Sequence, residues 1–199
     1  MRLAARWHDL GPRVATGLAL LSVGALTIWM GGPAFATFIG LALGLMMWEL
    51  AAMMAPGERL MSYALVPLAL CAAVLPMALG WPVLLAALVL GGIITGRERW
   101  LFVAVTAAMA LASFSLMGLR GSGGAVWVLW LVLVVVATDV AGYFVGRIVG
   151  GPLLWKRLSP KKTWSGAAGG WIAAACVGAI FATVTPGSGL VLIVVSVLA

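Results

Sequence analysis

Two stretches of this chain hold residues whose types and spacing could do chemistry. In "VVVATDVAGYFVGR", Asp139 is followed by Tyr143 at i+4 and Arg147 at i+8. On a helix that spacing sets acid, phenol and guanidinium broadly along one face. Asp139 is the one acid deep inside an apolar run, and an ionisable residue in such a place is a functional candidate by default. The second stretch, "SPKKTWSG", runs from Ser159 to Gly166 and puts two adjacent lysines among hydroxyls and a proline. Ser159 before Pro160 has the form of a helix N-cap with proline at the first helical position. A helix starting there would turn free N–H groups toward an anion, with Lys161, Lys162 and Thr163 in its first turn. Lysines oppose the helix dipole at that end, and a bound anion removes the conflict. Clustered cations with hydroxyls suit phosphate. Spacing alone leaves a second reading open, a basic loop held against anionic lipid headgroups.

The elements that must position these groups are membrane helices. The chain is 64% hydrophobic and only 9% charged, with a mean hydropathy of +1.19, whereas a soluble domain carries about a quarter of its residues as charges. Apolar runs fall at roughly 14–30, 33–54, 60–79, 81–95, 100–118, 124–145 and 169–185, and a last one at 189–199. Turn chemistry separates them: Gly31-Gly32-Pro33, Pro56-Gly57, Gly80-Trp81-Pro82, Gly121-Ser122-Gly123-Gly124 and Pro186-Gly187. The expected fold is an all-α polytopic membrane protein with about seven full spans, an incomplete eighth and a cytoplasmic N-terminus. Eleven of the twelve Lys and Arg then lie on one side, with Arg120 alone on the other, as the excess of cations in cytoplasmic loops requires. Residues 1–199 read as a single integral-membrane domain, in which 146–170 is a cytoplasmic basic loop. The stretch 14–30 reads as a retained span, although Ala34-Phe35-Ala36 imitates a cleavage site. The eleven residues 189–199 reach only about 16 Å, roughly half of a ~30 Å hydrocarbon core. That shortfall leads us to expect a chain truncated at its C-terminus.

Several chemistries are poorly served. Cys71 and Cys176 stand alone in apolar runs and His8 is the single histidine, so zinc, disulfide and His-triad readings find no constellation. A net charge of +7 reflects loop placement, and we expect no nucleic-acid partner. Glu49, beside Trp48 near the cytoplasmic end of the second span, is explained as well by a carboxylate reaching the headgroup region as by a site. Gly142 and Gly146 form a small-xxx-small pair that admits a close neighbouring helix, and Gly166, Gly169 and Gly170 would let the backbone pack closely on re-entry.

The segment "DVAGYFVGRIVGGPLLWKRLSPKKTWSGAAGG", Asp139 to Gly170, strongly resembles the region of phosphatidate cytidylyltransferases that precedes their signature. Trp48-Glu49 and the Gly-rich turn after Arg120 fit the same pattern more loosely. The resemblance implies transfer of CMP from CTP to phosphatidate, giving CDP-diacylglycerol and pyrophosphate in phospholipid biosynthesis. Carried over residue by residue, it implies catalytic roles for Asp139, Lys161 and Lys162, and substrate binding by Ser159, Thr163, Tyr143 and Arg147. It further implies CTP, phosphatidate and membrane lipid as partners, a bacterial inner-membrane location and Mg²⁺ as cofactor, with a homodimer as the assembly to test. Two departures stand out. Ser165 occupies a position where many members have Glu, and the C-terminal signature with its metal-ligating aspartates is absent, so no metal ligand is assigned in this chain. The alternatives are a non-catalytic lipid-binding relative and a membrane transporter using Asp139.

Overall fold

The structure, a computed structural model, describes residues 10–155, 159–184 and 189–198. Arg2, Arg6, His8, Asp9, Lys156, Arg157 and the expected turn at Pro186-Gly187 lie outside them. The described elements are α1 (Leu10–Met30), α2 (Gly32–Met54), α3 (Arg59–Ser62), α4 (Leu65–Val74), α5 (Met77–Thr95) and α6 (Arg99–Ile148). A short two-stranded sheet, β1 (Leu153–Trp155) and β2 (Ser159–Thr163), precedes α7 (Trp164–Val184) and α8 (Gly189–Leu198). Among the described residues the fold is thus α-helical with one hairpin. Among the described residues, three helical stretches, Gly32–Met54, Leu79–Ile148 and Trp164–Thr183, are long and apolar enough to cross a membrane. The bent pair Pro56–Ser62 and Leu65–Val74 makes a fourth if it acts as one span.

The chain divides into two compact units, 1–125 and 126–199. The core of the first contains Leu43, Met47, Leu65, Ala69, Ala87 and Phe102. Helix α2 approaches α4 so closely that a Cβ on Gly44 would stand 2.8 Å from the Val66 backbone. Helix α1 ends where Arg120 reaches it: Nε donates to the Ile28 carbonyl at 2.7 Å and Nη2 to that of Trp29 at 3.1 Å. A guanidinium satisfying the last carbonyls of a helix also sits well in its dipole. The lone cation expected on its side of the membrane is therefore a helix cap.

Two boundaries differ from expectation. Gly80-Trp81-Pro82 is not a turn but lies within α5. The break comes at Leu75, extended at ψ 153, because the residue before a proline is pushed out of the α region, here by Pro76. Pro82, the sixth residue of α5, stands inside the helix and forfeits one bond to the preceding turn. The expected turn at 121–124 shrinks to one residue, Gly124, whose φ of 77 breaks the helical path inside α6. The second unit is built from the rest of α6, the hairpin, α7 and α8 around Trp130, Val134, Ala174 and Leu192. Within that core the Trp130 Nε1–H donates to Ser196 Oγ at 3.0 Å, and Ser196 donates to the Leu192 carbonyl at 2.6 Å.

Candidate functional site

The last turns of α6 carry Asp139, Tyr143 and Arg147, all exposed. The i+4 spacing joins the latter two: Arg147 Nη1 donates to the Tyr143 hydroxyl at 2.8 Å, and the guanidinium carbon lies 6.0 Å from the ring centroid. Asp139 makes no hydrogen bond or ion pair with the described residues. The structure therefore pairs the phenol with the guanidinium and leaves the carboxylate free of both.

The loop "SPKKT" corrects the sequence reading. Ser159–Thr163 is not a helix start but strand β2, antiparallel to β1, with Leu153 opposite Thr163 and Trp155 opposite Ser159. Both strands are edges, where a proline costs no ladder bond. Pairing with β1 satisfies the backbone that a helix would otherwise have served. Helix α7 begins at Trp164, and its cap is Thr163, whose Oγ1 accepts the Gly166 N–H at 3.2 Å. That is the bond a helix N-cap side chain makes to the third helical residue. The helix-dipole argument for an anion at Ser159 therefore falls away. Lys162 is exposed on the strand immediately before the cap, and Lys161 precedes it there.

The hairpin is clamped at its base. Ser165 Oγ donates to the Gly150 carbonyl, and the Trp164 N–H donates to the Pro152 carbonyl at 3.1 Å. The hydroxyls of Thr163 and Ser165 lie 3.0 Å apart. Gly150 and Gly151, at φ 62 and 111, make the turn into β1 in a region that only glycine enters freely. Below the clamp, α6 and α7 cross at the glycines. A Cβ on Gly166 would stand 2.7 Å from the Gly142 carbonyl oxygen and 3.3 Å from the Gly146 Cα. One on Gly146 would stand 2.9 Å from Thr163 Oγ1, and one on Gly169 would meet Val145 at 2.7 Å. The expected small-residue contact thus exists, and it seats the capping threonine against α6. Arg147 and Lys162 flank that Gly146–Thr163 contact, one on each chain segment.

Sequence reasoning missed Ser165 as the clamp residue, having weighed it only as a missing carboxylate. The available signal was Thr163 ahead of a long apolar run, which marks the true helix start. Glu49 is exposed on α2; its neighbour Trp48 stacks on Tyr63 at 4.7 Å, with Arg59 5.6 Å from the Trp48 ring. That aromatic and cationic collar suits a membrane interface.

A Mg²⁺ site is built from oxygen ligands, commonly one or two carboxylates completed by substrate phosphates. Among the described residues no three His, Cys, Asp or Glu come together, and Asp139 is the sole acid of residues 126–199. Asp139 is thus the one carboxylate that residues 126–199 could offer such an ion.

The chain as a whole is similar to known proteins. The family described as "Cytidylyltransferase family" matches residues 11–199. A phosphatidate cytidylyltransferase of Brucella suis is 34% identical over 198 residues, covering 91% of this chain and 70% of that protein. Proteins of the same name from Mycobacterium bovis and Helicobacter pylori match shorter stretches. The first is 34% identical over 40% of this chain and 26% of its own length, the second 40% identical over 33% and 24%. No solved structure matches the chain.

Proposed function

This chain belongs to the cytidylyltransferase family, and we propose that it transfers CMP from CTP to phosphatidate, yielding CDP-diacylglycerol and pyrophosphate. The carrying observation is the match to phosphatidate cytidylyltransferases across 91% of the chain, which takes in both units and the clamped hairpin. In the reaction an oxygen of the lipid phosphate bonds to the α-phosphorus of CTP. The bond from that phosphorus to the β-phosphate bridge breaks, and pyrophosphate leaves with the electron pair. The lipid phosphate is a monoester with a second pKa of about 6, so it is mostly dianionic at pH 7 and needs little help from a base.

The main task is bringing two anions together, so catalysis rests on positioning and on cations placed where charge develops. Lys161 and Lys162 take the phosphates, and Ser159 and Thr163 contribute hydroxyls at the same strand. Arg147, held by Tyr143, supplies a planar donor fork suited to a phosphate. Asp139 is the catalytic carboxylate of this reading, an acceptor of hydrogen bonds when ionised. In this reading the chain crosses a bacterial inner membrane about seven times with its N-terminus in the cytoplasm, and the 70-residue stretch Leu79–Ile148 makes several of the crossings. The hairpin then faces cytoplasmic CTP, at the depth of lipid headgroups.

The test is CDP-diacylglycerol formation by the protein in phosphatidate-containing membranes, comparing wild type with Lys162→Ala and Asp139→Asn. We expect both variants to lose at least about 10²-fold, the scale for removing one group that stabilises a transition state. Rates near wild type in both would overturn the assignment.

A further inference from the structure

A second site lies in the first unit, away from the hairpin in sequence. Helices α5 and α6, joined by the turn at Gly96–Glu98, enclose an open groove of about 580 Å³. Leu85, Val89 and Ile93 line it at four-residue spacing along α5, and Trp100 and Val103 face them from α6. These are not core residues: Ile93 is 71% and Trp100 74% exposed. Gly92 forms part of the floor, where a Cβ would touch Val103 and approach the Arg99 side chain. Arg99 is the one charged residue of the lining and sits at one end, 5.5 Å from the Trp100 ring centroid. It has no carboxylate partner among the described residues. Arg97 and Glu98 are exposed beside it.

From Leu85 to Gly96 the groove follows α5 for about 16 Å, half of a ~30 Å hydrocarbon core and so the depth of one leaflet. An apolar trough of leaflet depth, closed at its aqueous end by an unpaired guanidinium over an interfacial tryptophan, matches a phospholipid in shape and charge. We propose that this groove holds an anionic phospholipid of the cytoplasmic leaflet, one acyl chain along Leu85, Val89 and Ile93 and its phosphate on Arg99 and Arg97. The orientation comes from the reading above, but the binding itself does not depend on CMP transfer. A second copy of the chain is the poorer occupant. A two-fold contact between chains inserted in the same direction brings the same depth of each together, and here that would set Arg97 and Arg99 against their own counterparts.

The experiment needs no CTP. Purified protein is incubated with phosphatidylglycerol or phosphatidylcholine of matched chains, each carrying a photoreactive group on one acyl chain, and the labelled peptides are identified. We expect phosphatidylglycerol to label the α5–α6 segment about thirtyfold more than phosphatidylcholine, as two arginines at about 1 kcal/mol each near a surface would give. Arg97→Ala/Arg99→Ala should erase that preference, and Val89→Trp, which fills the trough, should abolish labelling by both lipids. Equal labelling by the two lipids in wild type overturns the proposal whatever the variants do. So does an α5–α6 crosslink between two copies in place of lipid. Either result leaves the CMP-transfer assay untouched.

Discussion

Replacing Gly166 by Ala adds one methyl group at a tight backbone contact of the α6–α7 crossing. That methyl would stand 2.7 Å from the Gly142 carbonyl oxygen, about 0.7 Å inside the 3.4 Å at which ordinary contact begins. The opposing atoms are backbone, so no side chain can swing away, and the helices must separate by most of that distance. Overpacking of this kind costs about 1–3 kcal/mol. The displacement also passes to function, because Ser165, the residue before it, clamps the Gly150 carbonyl and Thr163 seats against Gly146. A shift approaching 1 Å in a positioning element can cost about 10²-fold in rate. We therefore expect Gly166→Ala to lower CDP-diacylglycerol formation at least tenfold and to lower the melting temperature in detergent. Gly118→Ala is the matched control: nothing lies within 4 Å of its added methyl, and the change should stabilise the helix by up to about 1 kcal/mol. Gly166→Ala with wild-type rate and melting temperature would refute the reasoning.

Three further outcomes follow from single contacts. Lys162→Ala should leave the melting temperature within the roughly ±0.5 kcal/mol band of surface changes while turnover falls; a matching loss of stability would make the lysine structural. Ser165→Ala removes the clamp bond to Gly150, and we expect about 1 kcal/mol of destabilisation with a raised KM for CTP; an unchanged KM would separate the clamp from substrate binding. Arg120→Ala uncaps α1 and should cost about 1–2 kcal/mol from lost charged hydrogen bonds and dipole interaction, seen as a lower melting temperature with the rate per folded molecule retained. Arg120→Lys should recover part of it, since one ammonium cannot reproduce both guanidinium bonds.

Much of this arrangement can be read from local signals. Helix ends follow Gly31, Gly124 and the Gly150-Gly151 pair because positive φ is readable from glycine. The Tyr143–Arg147 pair and the Gly142/Gly146 contact follow from helical periodicity. The hairpin does not, because its signals are ambiguous locally. Ser159-Pro160 is as good a helix start as a strand edge, and only the Leu153–Trp155 partner strand decides between them. Pro76 and Pro82 likewise compete for one helix boundary, and it goes to the proline that can force its predecessor extended without cutting an established helix. The cap by Arg120 spans about ninety residues of chain, so no local pattern could reveal it.

The most direct measurement of the central claim follows phosphorus atoms. Membranes containing the protein and phosphatidate receive CTP labelled at the α-phosphorus or, separately, at the γ-phosphorus. Transfer of CMP predicts that the α label enters the lipid product while the γ label leaves as pyrophosphate in equal amount. A γ label in the lipid would mean phosphoryl transfer by a kinase-like route. No CTP-dependent lipid label from either position would contradict the account outright.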